Sequence, residues 1–372
     1  MKPDKYLFYW CLLLTFLFTI SSCTPANIPI QVPTATSTST ITPTETALPT
    51  IPPTPIPLTA QAITSANTGL LKAVGEMTIQ QPMRLVWAKN SQTFWLVNDA
   101  NATRYNSQTL EIEYSFNAVS PGRILDASAD GDSIAYDADN LGTIHILSQS
   151  QNKTLVINPG SIYGNAIFYG NAIFSSDGTQ LAVTSMDELQ VTIWDTTTGS
   201  KVSTLKGFQT AAPVYDASIA PDNKTLIWHS RATIQLQDIT SQKMGPVFSH
   251  EDFVMGFALT RDGNMLASAA GGTINGNYTP VIFIWDTHSG NNVAKLPYPD
   301  SFSTLTFSPD GKILASASAG NLILWDMTIF KVINIIQVHS NSISDIAFSP
   351  DGKSLLTCSA EDNLVKLWQV LQ

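Results

Sequence analysis

The sequence is poor in cysteine and in the signature motifs of catalysis. Its 372 residues include three cysteines, Cys11, Cys23 and Cys358, and no CxxC pair or Cys/His cluster, so the spacing of a zinc site is missing. No HExxH, GxxxxGK[ST], GxGxxG or GxSxG motif occurs. We therefore expect no metal, no cofactor and no enzymatic activity.

Positive charge is also scarce. Lysine and arginine number 19 against 29 acidic residues, a formal net charge of −10, and the basic residues are scattered singly. A protein that grips phosphate backbones needs a basic patch, so we expect no nucleic-acid partner. Hydrophobic residues make up 44% of the chain and charged residues 13%, which is enough for one large all-β core of about 300 residues.

The N-terminal residues resemble a targeting signal. Lys2 and Lys5 precede an apolar run of 15 residues, Tyr6–Ile20, which is short for a membrane span and typical of a signal-peptide core. The run ends in ISSC, which resembles the lipobox of bacterial lipoproteins. That resemblance implies cleavage of residues 1–22, acylation of Cys23, and anchoring on the extracytoplasmic face of a cell membrane. A plain cleaved signal and a membrane anchor are the alternatives.

Residues 23–68 are dominated by threonine, proline and serine, with Glu45 as their only charge. Proline favours extended backbone, and so few large apolar side chains cannot form a core. We expect a disordered, semi-extended linker that acts as a passive spacer.

A repeat begins after the linker. Its clear copies include IFSSDGTQLAVTSMDELQVTIWD (Ile173–Asp195), TFSPDGKILASASAGNLILWD (Thr306–Asp326) and AFSPDGKSLLTCSAEDNLVKLW (Ala347–Trp368). These copies resemble the WD-repeat (tryptophan–aspartate) β-propeller family. The third-strand aromatic position recurs seven times, at Tyr105, Leu147, Trp194, Gln237, Trp285, Trp325 and Trp368. The spacing of 40 to 48 residues indicates one four-stranded antiparallel blade per copy, hence a seven-bladed propeller over residues 69–372.

Two of the longer intervals between successive third-strand positions need insertions, and the last blade needs an edge strand. YGNAIFYGNAIF, Tyr163–Phe174, is a duplicated hexamer whose first copy is surplus, and GGTINGNYTP, Gly271–Pro280, is expected to form an extended loop. Because the last copy ends close to Gln372, its outer strand must come from elsewhere. We expect Gly69–Met77 to pair with Val365–Leu371 and close the ring.

Most motif residues have structural explanations. The aspartates of the DG turns can accept bonds from their own turn amides. The family resemblance implies a hydrogen-bonded tetrad in the last blade, formed by His339, Ser359, Asp362 and Trp368, rather than a catalytic triad. His145, His229, His250 and His288 show no ligand spacing.

In this fold the loops that enter each blade and those between second and third strands share one face, and several of them carry aromatic residues, which are common binding anchors. The candidate binding face consists of Tyr163, Phe168, Phe208, Phe253, Tyr278, Tyr298 and Phe302. We expect a monomeric scaffold that binds a protein or peptide through this face and the membrane through Cys23. Recognition of a small molecule or cell-wall glycan at the central mouth is the alternative, and an enzyme is a third reading that no set of convergent residues supports.

Overall fold

A computed structural model describes residues 60–119, 122–138, 142–158, 172–185, 190–206, 214–298, 300 and 302–371. All of them belong to one compact unit, Glu45–Gln372. The predicted signal peptide, Cys23, most of the predicted linker, the first copy of the hexamer and Phe208 lie outside these residues.

Twenty-eight described strands follow one another in chain order, after a short 3₁₀ turn at Thr68–Leu70. The first five are β1 (Lys72–Thr78), β2 (Arg84–Trp87), β3 (Thr93–Val97), β4 (Asn101–Asn106) and β5 (Ile112–Asn117). Next come β6 (Arg123–Ala127), β7 (Ser133–Asp137), β8 (Ile144–Ser148), β9 (Lys153–Ile157), β10 (Ala172–Phe174), β11 (Gln180–Ser185), β12 (Gln190–Asp195) and β13 (Lys201–Lys206). The third group is β14 (Val214–Ile219), β15 (Thr225–Ser230), β16 (Thr233–Asp238), β17 (Met244–Ser249), β18 (Val254–Leu259), β19 (Met265–Ile274), β20 (Asn277–Asp286) and β21 (Asn292–Pro297). The last is β22 (Thr304–Phe307), β23 (Ile313–Ser318), β24 (Asn321–Asp326), β25 (Lys331–Gln337), β26 (Asp345–Phe348), β27 (Ser354–Ser359) and β28 (Leu364–Gln369). No helix in these described ranges is long and apolar enough to cross a bilayer.

The strands form seven antiparallel four-stranded sheets, so the predicted seven-bladed propeller is confirmed. Each predicted third-strand position lies in the third strand of its blade. The middle strands are the most buried: β23, ILASAS, is buried at every position, and its alanines and serines let the neighbouring blades approach closely. Each hydrophobic cluster lies between successive blades. One joins blades five and six through Ile284, Leu305 and Trp325, for example.

The ring closes as the sequence predicts. β1 adds to β28 as the outer strand of the last blade, with Lys72 opposite Gln369 and Thr78 opposite Leu364. The pairing satisfies the edge that the last repeat copy leaves open, and it joins the beginning of the propeller to its end.

The residues before β1 are also docked on the propeller. The Gln61 amide donates to Val370 O and the Ile63 amide to Gly352 O, each at 2.9 Å, and Ile63 and Thr68 are buried. Asn334 Nδ2 donates to Thr68 O at 2.8 Å. We call residues 60–71 the strap. Residues 60–68, which the sequence analysis assigns to the end of the linker, are therefore docked on the propeller.

The insertion in blade five forms strands rather than the predicted loop. β19 and β20 run on together to a two-residue turn at Asn275-Gly276, and Ile274 lies opposite Asn277. Both turn residues have positive φ, 51° and 79°, which is the geometry of the tight hairpin turn that Asn-Gly favours. The expectation of a loop was wrong because each strand can be extended in register when such a turn joins them.

The predicted role of the turn aspartates is confirmed. In each DG turn, and at the four third-strand ends that carry an aspartate, a carboxylate accepts a bond from the amide two residues later. These residues are Asp130, Asp177, Asp262, Asp310, Asp351, Asp195, Asp238, Asp286 and Asp326. Much of the acidity of the chain thus serves turn structure.

Candidate functional site

The two faces of the propeller differ in their loops. Because the strands of a blade alternate in direction, the loops entering each innermost strand and the turns between second and third strands lie at one end of the blades. We call this end the entry face. The DG turns, and with them the strap contact at Gly352, lie at the opposite end, which we call the DG-turn face.

A cavity of about 520 Å³ opens at the centre of the entry face. Each of the seven innermost strands contributes to it, or the residue just before that strand does. The lining includes Met83, Arg84, Asn98, Asp99, Ile124, Ile173, Ser218, His229, Met255, Gly256, Phe257, Thr304 and Asp345. Its position on the propeller axis makes it the central mouth that the sequence predicted as an alternative binding site.

Carboxylates on one side of the mouth share a single guanidinium. Arg84 Nη1 lies 3.1 Å from Asp126 Oδ1. Asp126 Oδ2 also accepts a bond from the Phe174 amide of the next blade at 2.8 Å, and Asp345 Oδ2 accepts one from the Leu85 amide at 2.8 Å. These two aspartates therefore fasten neighbouring blades. Burial raises the pKa of Asp345 to about 6, although the Leu85 amide and the charge of Arg84 oppose the shift.

The other side of the mouth is less polar. Met255 is exposed at its rim and Phe257 is half-buried below, whereas the exposed Met83 stands next to Arg84 on the charged side. His229 lies in this wall, where burial lowers its pKa to about 4, so its imidazole is neutral at pH 7. The charged residues of the described lining thus belong to blades seven and one, and blades three to five contribute largely uncharged residues.

Blade five raises a lip beside the mouth. Phe253 lies in the entry loop, and the guanidinium carbon of Arg231 stands over its ring, 5.9 Å from the centroid of the phenyl ring. The Tyr278 hydroxyl donates a hydrogen bond to Asp252 of the same loop. Glu251 Oε2 accepts from the Thr273 amide at 2.9 Å and from its hydroxyl at 2.7 Å. The hairpin and the entry loop therefore hold each other in place.

The predicted binding-face aromatics divide into three groups. Phe253 and Tyr278 are exposed on the entry face, 38% and 64% respectively. Tyr298 and Phe302 are not: Phe302 is 3% exposed, and both rings pack against Trp325 in the cluster between blades five and six. The expectation that Phe302 is exposed was wrong because the neighbouring blade covers its ring, whereas Tyr298 is half-buried and its part in a binding face stays a prediction. Tyr163, Phe168 and Phe208 lie outside the described residues.

The predicted tetrad of the last blade needs one correction. The hydroxyl between the histidine and the tryptophan belongs to Thr357, which lies 2.9 Å from His339 Nε2 and accepts from Trp368 Nε1 at 3.1 Å. His339 Nδ1 lies 3.5 Å from Asp362 Oδ2. Ser359 instead accepts a bond from the Asp362 amide at 3.2 Å. Side chains alternate across a strand, so Thr357 and Ser359 share a face, and the nearer residue to the tryptophan is Thr357.

We call the contacts that join Asp362, His339, Thr357 and Trp368 a relay, and the hydrogen positions in it follow from donor chemistry. The Trp368 indole can only donate, so the Thr357 oxygen accepts from it and can give its own hydrogen to His339 Nε2. The other ring nitrogen then carries a hydrogen toward Asp362. The Asp–His–Thr arrangement is not a catalytic triad, because the Thr357 hydroxyl is fully buried and already bonded on both sides.

Blade five contains a second relay that the sequence analysis missed. Trp285 Nε1 donates to Ser268 Oγ at 2.8 Å, Ser268 lies 2.7 Å from His250 Nε2, and His250 Nδ1 lies 3.2 Å from Ala232 O of the preceding blade. Burial lowers the pKa of His250 to about 4. The signal is in the spacing: His250 and His339 each stand twelve residues before a DG-turn aspartate.

No group of three or more His, Cys, Asp or Glu side chains within the described ranges lies close enough to hold a metal ion. Cys358 is buried in β27, and burial raises the pKa of its thiol well above the usual value. It packs as a small apolar residue, as the sequence predicts.

Comparisons with known proteins agree with the repeat geometry. Residues 290–326 and 330–369 match the family described as WD domain, G-beta repeat. Each match begins near the outer strand of one blade and ends with the third strand of the next. A stretch of 146 residues is 32% identical to the WD repeat-containing protein SL1-17 of Schistosoma mansoni and covers 39% of this chain. It spans 45%, less than half, of that curated relative. Together with the seven four-stranded blades, these matches support a WD-repeat family for this chain, with a fold typical of protein-interaction scaffolds.

Proposed function

We propose that this protein is a lipid-anchored, extracytoplasmic scaffold that binds another protein or a peptide on its entry face and catalyses no reaction itself. The observation that carries the proposal is the group of exposed apolar side chains on that face, formed by Met83, Val119, Phe253, Met255 and Tyr278. Exposed aromatic and methionine side chains are typical anchors of protein interfaces.

Two loops of the entry face, one of which presents Phe253, are held by the blades. Asp362 accepts bonds from the Ser340 and Asn341 amides of the last entry loop, and Glu251 and Asp252 tie the entry loop of blade five to its hairpin. A surface ordered before binding loses less conformational entropy when the partner docks. This supports recognition by a fixed surface.

The path of the chain is compatible with a membrane anchor. The strap reaches the propeller on the DG-turn face, through Ile63 and Gly352. A proline-rich tether from Cys23 to residue 60 can extend roughly 110 Å at about 3.1 Å per residue. We infer that an acyl chain on Cys23 leaves the entry face free for its partner.

Partner capture tests the binding face. Phe253→Ala and Tyr278→Ala should reduce crosslinking to a membrane-fraction partner in intact cells and leave the melting temperature nearly unchanged. Val202→Ala is the matched control, since Val202 is 53% exposed but lies on the outer strand of blade three. Equal crosslinking by all three variants contradicts the proposal.

The anchor has its own test. Cys23→Ser should abolish labelling by an alkynyl palmitate and move the protein from the membrane fraction to the extracytoplasmic soluble fraction. Cys358→Ser is the control, because its buried thiol should leave both readouts unchanged. Unchanged labelling of Cys23→Ser refutes lipidation at this residue.

A small molecule or cell-wall glycan in the mouth is the second candidate, and the cavity of about 520 Å³ favours it, since ligand pockets commonly measure about 300–1,000 Å³. Sugar recognition normally uses exposed aromatic faces. Phe257, the aromatic residue among those lining the cavity, is half-buried, so we place this candidate second. Thermal shifts across a glycan panel separate the two: a ligand-specific shift supports it, and no shift refutes it.

A further inference from the structure

Charge in the mouth is unbalanced. Among the described residues that line it, Asp99 and Asp345 are the acidic ones and Arg84 supplies the one guanidinium, whose Nη1 also lies 3.1 Å from Oδ1 of Asp126, a residue outside the lining. The remaining basic side chain in the lining, His229, is neutral at pH 7 because of its burial. The described lining therefore carries surplus negative charge on the sides of a concave surface, which attracts a cation that enters the cavity.

The mouth also offers apolar contact. Met83 and Met255 stand at the rim, and Ile173 and Phe257 line the wall that faces the charged side. A small hydrated ion gains nothing from such a wall. A lysine or arginine side chain does, because its methylene stem packs on apolar surface while its charged end reaches polar partners.

Apolar anchors continue outside the mouth. Phe253 ends the entry loop two residues before Met255 of β18, and Tyr278 stands on the adjoining hairpin. A peptide whose basic residue enters the mouth can place neighbouring apolar residues on this lip. The juxtaposition favours a polypeptide over a free small cation.

We propose that the mouth receives a lysine or arginine side chain from a peptide segment of the partner, with the charged group beside Asp345 and Asp99 and the stem against Met83 and Met255. This rests on the proposed function and names the chemistry of its partner.

The test is a selection from a random heptapeptide library displayed on phage, using the purified propeller with its strap. We expect enriched peptides to carry lysine or arginine next to apolar residues. Replacing the basic residue by norleucine, which keeps the stem, should weaken binding about tenfold or more in fluorescence anisotropy. Free N-acetyl-lysine amide should bind far more weakly than the peptide.

Matched variants locate the site. Asp99→Asn and Asp345→Asn should each weaken the basic peptide about tenfold and leave the norleucine peptide unaffected. Asp99 is exposed, so its replacement remains informative if Asp345→Asn loses the Leu85 bond and with it stability. Asp300→Asn removes the same charge from an entry loop outside the mouth and should change nothing.

The opposing results are distinct. The inference fails if no peptide is enriched, if enriched peptides lack basic residues, if both mouth variants bind like the wild type, or if free acetyl-lysine amide binds as tightly as the peptide. Should Phe253→Ala lose the cellular partner while the mouth variants retain it, the scaffold function stands and the basic-residue site falls. Should none of these variants affect capture, the entry face is not the binding surface and both fall.

Discussion

Single hydroxyl groups lock the strands of this propeller. Thr357 links His339 to Trp368, and Ser268 links His250 to Trp285. In blade six Ser316 accepts from Trp325 at 2.9 Å without a histidine partner. All three hydroxyl residues occupy the same position, two residues after the first leucine of the second strand. This shared position explains how one relay is repeated with fewer members.

Thr357→Val tests that relay. The change removes a hydroxyl from a fully buried position with almost no change in volume, so His339 and Trp368 lose a partner that no water replaces. We expect a loss of about 1–3 kcal/mol in the free energy of unfolding, measured by urea denaturation. Ser359→Ala removes a hydroxyl that accepts one backbone bond and should cost less, about 1 kcal/mol. A larger effect at Ser359 would restore it to the relay in place of Thr357.

The buried histidines link stability to pH. Burial lowers the pKa of His229 and His250 to about 4, below the ordinary unfolded value of about 6.5. A depressed histidine pKa contributes stability that is complete above pH 6.5 and is lost as the pH falls through 4. Asp345 acts in the opposite sense: its raised pKa, about 6, gives stability below about pH 4 that is lost as the pH rises through 6.

On acidification, the stability lost through His229 and His250 exceeds the stability gained through Asp345, so acid should destabilise the fold. We expect the free energy of unfolding to fall by on the order of 3 kcal/mol between pH 7 and pH 4, measured by urea denaturation across that range. His250→Gln removes one titrating group and should flatten the slope. A slope that His250→Gln leaves unchanged would show that His250 does not titrate differently in the folded and unfolded states.

Among the elements, the blade-five hairpin departs most from the repeat. It extends beyond its neighbours and leaves two strand edges uncovered, which is a hazard for aggregation. Both edges are protected from further strand pairing, because Pro280 has no amide to donate and the Thr273 amide already donates to Glu251. The Tyr278 ring lies over Gly271, where an added Cβ would meet its hydroxyl. The hairpin is therefore fixed by its own blade.

Glu251→Ala should release the hairpin without unfolding the blade. The Thr273 amide and hydroxyl lose their acceptor, so amide hydrogen exchange should quicken in residues 271–280 while the melting temperature stays within about 2 °C, as expected for a surface change. Glu361→Ala is the control, since Glu361 is exposed in the corresponding turn of blade seven. Unchanged exchange at Thr273 would mean that strand pairing alone holds the hairpin.

The elements also show what the sequence could predict. Blade count and ring closure follow from the spacing of Trp194, Trp285, Trp325 and Trp368, because one repeat must supply one sheet. The hairpin was foreseeable from Asn275-Gly276, a dipeptide that favours tight turns, but the surrounding glycines suggested a loop. The burial of Phe302 was not foreseeable, since it depends on a neighbouring blade. The mouth was beyond reach because its lining comes from seven separated segments.

At the scale of the whole molecule, the chain fastens the ring twice. β1 completes the last blade, with Val74 and Met77 packed on the cluster that joins blades seven and one. The strap then crosses the DG-turn face and buries Ile63 among residues of blades six and seven. Ser65 adds a hydrogen bond to Asp326 at the end of β24. The two fastenings act on different surfaces, so their contributions can be separated by truncation.

A shortened chain that begins at Leu71 lacks most of the strap and keeps β1. We expect a monomer with a free energy of unfolding lower by about 2–4 kcal/mol, because Ile63 loses its buried site and Asn334 its acceptor. A chain that begins at Pro82 lacks β1 as well, so the edge of β28 beside Val365 and Leu367 is exposed. We expect this change to open the ring and to cause aggregation. Light scattering after size exclusion and urea denaturation measure both effects, and a synthetic peptide covering residues 72–80 should restore the second truncation. A monomer of wild-type stability that begins at Pro82 would show that contacts between blades suffice to hold the ring, and that β1 serves only to cover an edge.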